Sequence, residues 1–295
     1  MSRRLRGLPS SVTCIARIET SFTAAFSAYL PRGRAYLQGA RRGDAPFGLG
    51  KPAIAMSEQR CNQATGHRMT YTRYAIYYTP PPGQFAELGA RWLGWDIATG
   101  QPVGTPDLDI VATPRRYGFH ATLKAPFFLV DGVTEDDLTC AFRDLAQNLA
   151  PVALEGLEVR RLGGFVALVP FGNTDALQSL AANCVTRLDA LRAPMSEAER
   201  LRKTKPNMTQ AHRQNLEKWG YAHVMDSFRF HMTLSGPLPK DIRDRVMAQA
   251  EAHFAPAQIV PLTISTITLV GERPDGTFKS IEQARLRDPQ TGAAK

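Results

Sequence analysis

The stretch YGFHATL at residues 117–123 returns as FRFHMTL at residues 228–234. Each copy sets phenylalanine before a histidine, then a variable residue, threonine and leucine. A proline follows six residues beyond each histidine, Pro126 and Pro237. The copies lie 111 residues apart, too long for a solenoid unit but suited to a small α+β lobe. A chain built this way is constrained to two similar halves.

The patterns around each copy repeat in the same order. After the first motif strand, residues 134–150 read as a helix: Thr134 caps it, acids fill its first turn, and Leu138, Ala141, Phe142, Leu145 and Leu149 form one apolar stripe. VALEGLEVRRL and GFVALVPF follow as two strands turning at Gly163 and Gly164, and a helix over about 174–191 closes the half. After the second motif come a helix over 239–254, with Ile242, Val246, Ala250 and Phe254 inward, and strands near 258–264, 266–272 and 277–286. Ahead of the repeat, RYAIYYTP reads as a strand and residues 83–95 as a short helix. A Pro/Gly/Asp-rich connection then leads to the first motif. The expected fold is α+β, with two pseudosymmetric lobes of antiparallel sheet and flanking helices, and a cleft between the lobes.

Charge locates the ends of this body. The net charge is +9, but residues 1–68 carry eleven Lys or Arg against three Asp or Glu, leaving the rest almost neutral. Residues 1–70 lack a packable pattern and read as a disordered extension, with Met56 or Met69 as the start, rather than as an Arg-rich transit peptide. The body is expected over 71–288, and 289–295 as a flexible tail. A near-neutral body argues against long nucleic acid as partner. No run of about 18 apolar residues suggests a membrane span. Cys14, Cys61, Cys140 and Cys184 show no metal spacing, and Cys140 and Cys184 are expected as buried thiols of a monomeric cytoplasmic protein.

On a strand, residues two apart share a face. His120 and Thr122 therefore point one way and Ala121 and Leu123 the other; His231 and Thr233 do the same, opposite Met232 and Leu234. One such strand is an ordinary half-buried strand. Two, in equivalent places of a repeat, suggest one site. Histidines titrate near neutrality, so one can act as base while the other acts as acid. Threonine hydroxyls can donate to anionic oxygens without bringing charge. Such a set suits a phosphodiester, and no metal or other cofactor is called for.

At these residues the chain resembles the 2H phosphoesterase superfamily. RYAIYYTPPPG, WLGWD, RRYGFHATLKAPF, RLGGFVALVP and KWGYAHVMDSFRFHMTLSGPL are similar to one branch of it, uncharacterised proteins encoded in phosphonate-utilisation operons (DUF1045-like). The resemblance covers about residues 71–286. It implies His120 and His231 as the acid–base pair and Thr122 and Thr233 as phosphate ligands. It implies a metal-independent cyclic phosphodiesterase acting on a small phosphorylated sugar or nucleotide, of ribosyl type, in phosphonate catabolism. The alternatives are an RNA-end phosphodiesterase for 2′,3′-cyclic or 2′,5′ linkages, and a non-catalytic sugar-phosphate-binding module.

Further candidates surround the motifs. Lys124, four residues after His120, is expected on the motif face, as a phosphate neutraliser or a solvated lysine. Arg116 reads as a ligand for a second phosphate or a surface charge, with Tyr117 beside it. Residues 192–226 form a polar insertion with a helix near 209–219. Its Arg200, Arg202, Lys203 and Lys205 read as a solvated face or a phosphate-binding lid, and Tyr221 and His223 as cleft-lining residues. His212 and His253 are expected on helix surfaces or ends.

Overall fold

The computed structural model describes residues 71–257 and 259–287. Expectations for 1–70, including Cys14 and Cys61, and for 289–295 lie outside the described residues. The chain enters through β1 (Tyr74–Tyr78), α1 (Gln84–Leu93), a small hairpin of β2 (Trp95–Asp96) and β3 (Gln101–Pro102), and α2 (Leu108–Arg115). The first half then runs β4 (Ala121–Phe127), α3 (Glu135–Gln147), β5 (Val152–Leu154), β6 (Gly156–Leu162), β7 (Phe165–Phe171) and α4 (Asp175–Arg187). The insertion carries α5 (Glu197–Lys203) and α6 (Gln210–Trp219). The second half follows as β8 (Met232–Thr233), α7 (Lys240–Phe254), β9 (Leu262–Ile264), β10 (Thr266–Glu272) and β11 (Phe278–Arg285).

Helix α3 starts where the sequence places it, with a reciprocal capping box between Thr134 and Asp137. Leu138, Phe142 and Leu145 bury its stripe. Four details differ from expectation. VALEGLEVRRL divides into β5 and β6 because β5 pairs with β9 in a separate two-stranded sheet while β6 pairs with β7. The second motif strand is only two residues long, since the amides of Leu234 and Ser235 both turn to the Val166 carbonyl and end the ladder. The Pro/Gly-rich connection contains α2, capped by Asp107, with Pro114 in its last turn. The insertion holds a second helix, α5, capped by Ser196. Of the two body cysteines, Cys184 is buried and Cys140 only partly so.

All described strands outside the two small pairs form one antiparallel sheet, ordered β11-β10-β1-β4-β8-β7-β6. The lobes meet at its centre, where Ala121 of β4 pairs with Met232 of β8. Each lobe mixes the two halves of the sequence. The first motif strand shares its lobe, across β1, with the hairpin β10–β11 of the second half, against which α3 packs; the second motif strand and α7 pack with the hairpin β6–β7 of the first. The chain crosses between lobes at β5 and β9, which pair antiparallel around Ala153 and Thr263. The pseudo-two-fold thus relates Ala121 to Met232 and β5 to β9.

The main core lies on one face of this sheet, beneath α1, α3, α4 and α7. A smaller cluster of Ala75, Tyr77, Trp95, Ile97, Tyr117, Val270 and Phe278 lies on the opposite face. That second face carries the motif histidines. No helix among the described residues is long and apolar enough to cross a membrane.

Candidate active site

Ala121, Leu123, Met232 and Leu234 are all buried in the main core, as the alternation requires. His120, Thr122, His231 and Thr233 therefore face the other way, where β4 and β8 adjoin.

Both imidazoles are oriented by the same local device. His120 Nδ1 donates to the Gly118 carbonyl at 2.9 Å, and His231 Nδ1 donates to the Arg229 carbonyl at 2.8 Å. A carbonyl oxygen only accepts, so each Nδ1 carries the proton and each neutral ring keeps its Nε2 lone pair available. Gly118 makes this possible in the first motif: its φ is +72°, and a Cβ there would lie 2.6 Å from Ile97. His120 Nε2 is 3.2 Å from Thr122 Oγ1, so the hydroxyl donates to the neutral ring. The His120 ring stacks on Tyr77 with centroids 3.9 Å apart. Phe165 lies 5.8 Å from the His231 ring.

Burial pulls His120 down from the ordinary 6.5 to about 4; its carbonyl partner at Gly118 opposes this, and His231 adds to it. His231 is lowered in the same direction by burial, against the pull of the Arg229 carbonyl. Both rings are therefore neutral bases at neutral pH.

Phenols and guanidiniums extend the wall beside His120. Tyr117 is 6.2 Å from the His120 ring and stacks on Phe278 at 5.3 Å. Arg116 lies 5.0 Å over Tyr117 and 3.6 Å from Glu272, and is one-quarter exposed, so it is neither a free surface charge nor fully sequestered. Glu272 also binds the buried Arg73 through two bonds, of 2.5 and 2.7 Å. Tyr221, from the insertion, is pushed up to about 12 by burial and by Tyr117 nearby. Its ring is 5.7 Å from that of His223, which in turn feels both His212 and His231. His120, Tyr77, Tyr117, Tyr221, His223 and His231 thus form one linked cluster of rings, with Tyr77, Tyr117 and His120 buried and His223 exposed.

Lys124 departs from its expected place. Tyr77 pairs with Thr122 but Ile76 with Lys124, so Leu123 is an extra residue and the alternation slips. Lys124 is consequently buried against α4, donating to the Val185 carbonyl at 3.1 Å and lying 3.5 Å from Asp189. It is neither solvated nor on the motif face, and burial lowers it to about 8. Among the insertion's cations, Arg200 pairs with Glu217, while Lys203 pairs with Glu199 and donates to the Gly220 carbonyl. Arg200 and Lys203 thereby tie α5 to α6 and its C-terminal turn, while Arg200 and Arg202 stay exposed as a solvated face requires. His253 sits between α1 and α7, with Nε2 2.9 Å from the Leu88 carbonyl and its ring against Trp92.

Sequence reading missed Tyr77, Arg73, Glu272 and His212. RYAIYYTP reads as a strand, but nothing within it says which strand lies beside Tyr77. His212 looked like a helix-surface residue until the fold brought α6 to His223.

A family model described as "Protein of unknown function (DUF1045)" matches residues 122–279. Two relatives carry the name "Ribose 1,5-bisphosphate phosphokinase PhnN". The one from Janthinobacterium sp. (strain Marseille) is 37% identical over 219 residues, covering 70% of this chain and 48% of that protein. The one from Laribacter hongkongensis is 36% identical over 197 residues, covering 64% and 46%. The chain spans about half the length of the curated relatives it matches. Among solved structures, E. coli LigT complexed with NADP+ matches 74% of this chain and 99% of its own, with a TM-score of 0.38 and 13% identity. TT0787 of Thermus thermophilus matches the same shares with a TM-score of 0.36 and 15% identity. Both scores lie below 0.5, so the two-lobed architecture rests on the sheet order and not on these likenesses.

Proposed function

The chain belongs to the DUF1045 family, and we propose that it is a metal-independent phosphodiesterase that opens a small cyclic phosphodiester of ribosyl type. The observation that carries the reading is the pair of His-x-Thr strands adjoining at Ala121 and Met232, with both Nδ1 protons locked onto backbone carbonyls so that each Nε2 carries the lone pair. The likeness of the two motifs to 2H phosphoesterases supports it.

In this reading His120, held neutral by its burial, is the base. Its Nε2 takes a proton from water as the water oxygen forms a bond to phosphorus. The ring P–O bond breaks, and His231 gives a proton to the departing alkoxide, leaving a phosphomonoester and a free hydroxyl. A bound phosphate anion favours the protonated form of His231. Thr122 donates to His120 Nε2 in the free protein. Turning that hydroxyl to a non-bridging oxygen frees the base at the moment substrate binds, and Thr233 acts as its counterpart. Each positioned acid or base contributes about 10²–10⁴-fold.

The ribosyl assignment draws on the relatives' name, which speaks of ribose bisphosphate. No stretch of these 295 residues has the Gly-x-x-x-x-Gly-Lys-Ser/Thr pattern of a P-loop, so we assign ester opening, not phosphoryl transfer from ATP, to this chain. The insertion's Lys203 and Arg200 serve internal ion pairs, which favours a small substrate over a long RNA. Phosphorus NMR with ribose cyclic phosphates and nucleoside 2′,3′-cyclic phosphates tests the reading. Monoester should form in the presence of EDTA and vanish in the His120→Ala/His231→Ala double variant. Equal turnover by that variant overturns it.

A further inference from the structure

His223 lies outside both motifs, yet the backbone on either side of it and one edge of its ring are held by other residues of the insertion. Asn215 Nδ2 donates to the carbonyls on either side of it, Ala222 at 3.3 Å and Val224 at 3.0 Å. The His212 ring, one turn before Asn215 on α6, meets the His223 ring edge-on at 4.9 Å, and Tyr221 meets it at 5.7 Å. Helix α6 ends at Gly220, whose φ of +71° turns the chain ahead of Tyr221 and His223. That turn is pinned from outside: Arg192 donates to the Lys218 carbonyl at 3.1 Å, and Lys203 donates to that of Gly220 at 2.9 Å. His223 nevertheless remains exposed. An exposed side chain normally keeps its rotamer freedom; here the backbone and one ring edge are held while the rest of the imidazole is left open.

We propose that His223 is a specificity-determining residue that hydrogen-bonds the hydroxyl-bearing sugar part of the substrate, on the His231 side of the cleft. The choice of sugar over phosphate follows from charge. Desolvation, His212 and His231 together hold His223 below the ordinary imidazole value. A neutral imidazole is a poor phosphate clamp but offers one donor and one acceptor, either of which can pair with a sugar hydroxyl left outside the cyclic ester. Phosphate neutralisation would call for a fixed cation such as arginine.

The kinetic arm of the test rests on the phosphodiesterase reading. His223→Ala, with melting checked, is compared with wild type on a ribosyl cyclic phosphate and on ethylene phosphate, a five-membered cyclic diester without hydroxyls. Loss of one substrate hydrogen bond should raise KM for the ribosyl ester about tenfold. The kcat for that ester, and kcat/KM for ethylene phosphate, should stay unchanged. His223→Gln, which keeps a donor and an acceptor, should recover most of the loss. Equal effects on both esters, or none on either, overturn the proposal. If wild type opens neither ester, the phosphodiesterase reading fails by itself. The His223 ring-proton resonance, assigned from His223→Gln, then decides. It should shift with ribose 5-phosphate and not with inorganic phosphate; no difference between the two overturns the proposal.

Discussion

Ala121 pairs with Met232 across the junction of the two lobes, and each is the variable residue between a motif histidine and its threonine. The distance between the two histidines is therefore set by one residue pair on the pseudo-two-fold. Ala121 has no exposed surface, so a larger side chain has no free space to occupy. Ala121→Leu should cost about 1–3 kcal/mol through overpacking. Because the strain falls where the lobes join, activity should drop further than stability explains. A melting curve beside a kcat measurement at a temperature well below the transition checks this.

Replacing either motif histidine should lower kcat by about 10²–10⁴-fold, while Thr122→Ala and Thr233→Ala should act more weakly and mainly through phosphate binding. Since Thr122 also donates to His120 Nε2, its loss should raise the His120 titration point in the free protein. Ring-proton NMR across pH reads this directly.

That two strands would come together was legible in the sequence, because the repeat spans strand, helix and hairpin around each histidine. The helix cap at Thr134 and the core faces of both motifs were equally visible. The exchange of hairpins between lobes was not, since local periodicity says which residues face a core but not which strand is the neighbour. Lys124 was misplaced for a related reason: a one-residue bulge at Leu123 depends on how β1 pairs with β4, and nothing within β4 announces it. Tyr77 comes under the His120 ring only through such long-range pairing.

Acid should destabilise the fold through the same histidines. The folded-state value of His120 is depressed to about 4 from 6.5. Between these values the unfolded chain binds the proton and the folded chain does not, so stability falls as pH drops from 6.5 toward 4. A shift of that size corresponds to about 3 kcal/mol, and His231, lowered in the same sense, adds to the slope. Denaturant midpoints should decline through this window, and His120→Asn should flatten the decline.

Glu272 holds Arg73, which is 3% exposed, and also lies 3.6 Å from Arg116. Breaking a buried ion pair by removing one partner costs about 3–5 kcal/mol. Glu272→Gln should therefore be among the most destabilising single polar substitutions. Replacing Arg73 and Glu272 together with apolar residues should recover part of the loss. Chemical denaturation of the two single variants and the double variant gives the coupling.

Lys124 separates a packing role from a substrate role. Its ammonium sits against the Val185 carbonyl and Asp189, and Asp189 keeps Arg192 at 2.8 Å if the lysine is removed. Lys124→Met keeps the length and apolar stem while removing a buried charge whose desolvation already lowers it to about 8. Because no carboxylate is stranded, the change should be near neutral for stability, within about 1 kcal/mol, and KM should stay at the wild-type value. A KM raised tenfold with an unchanged melting point would instead mean that the ammonium reaches the substrate, which its place against α4 argues against.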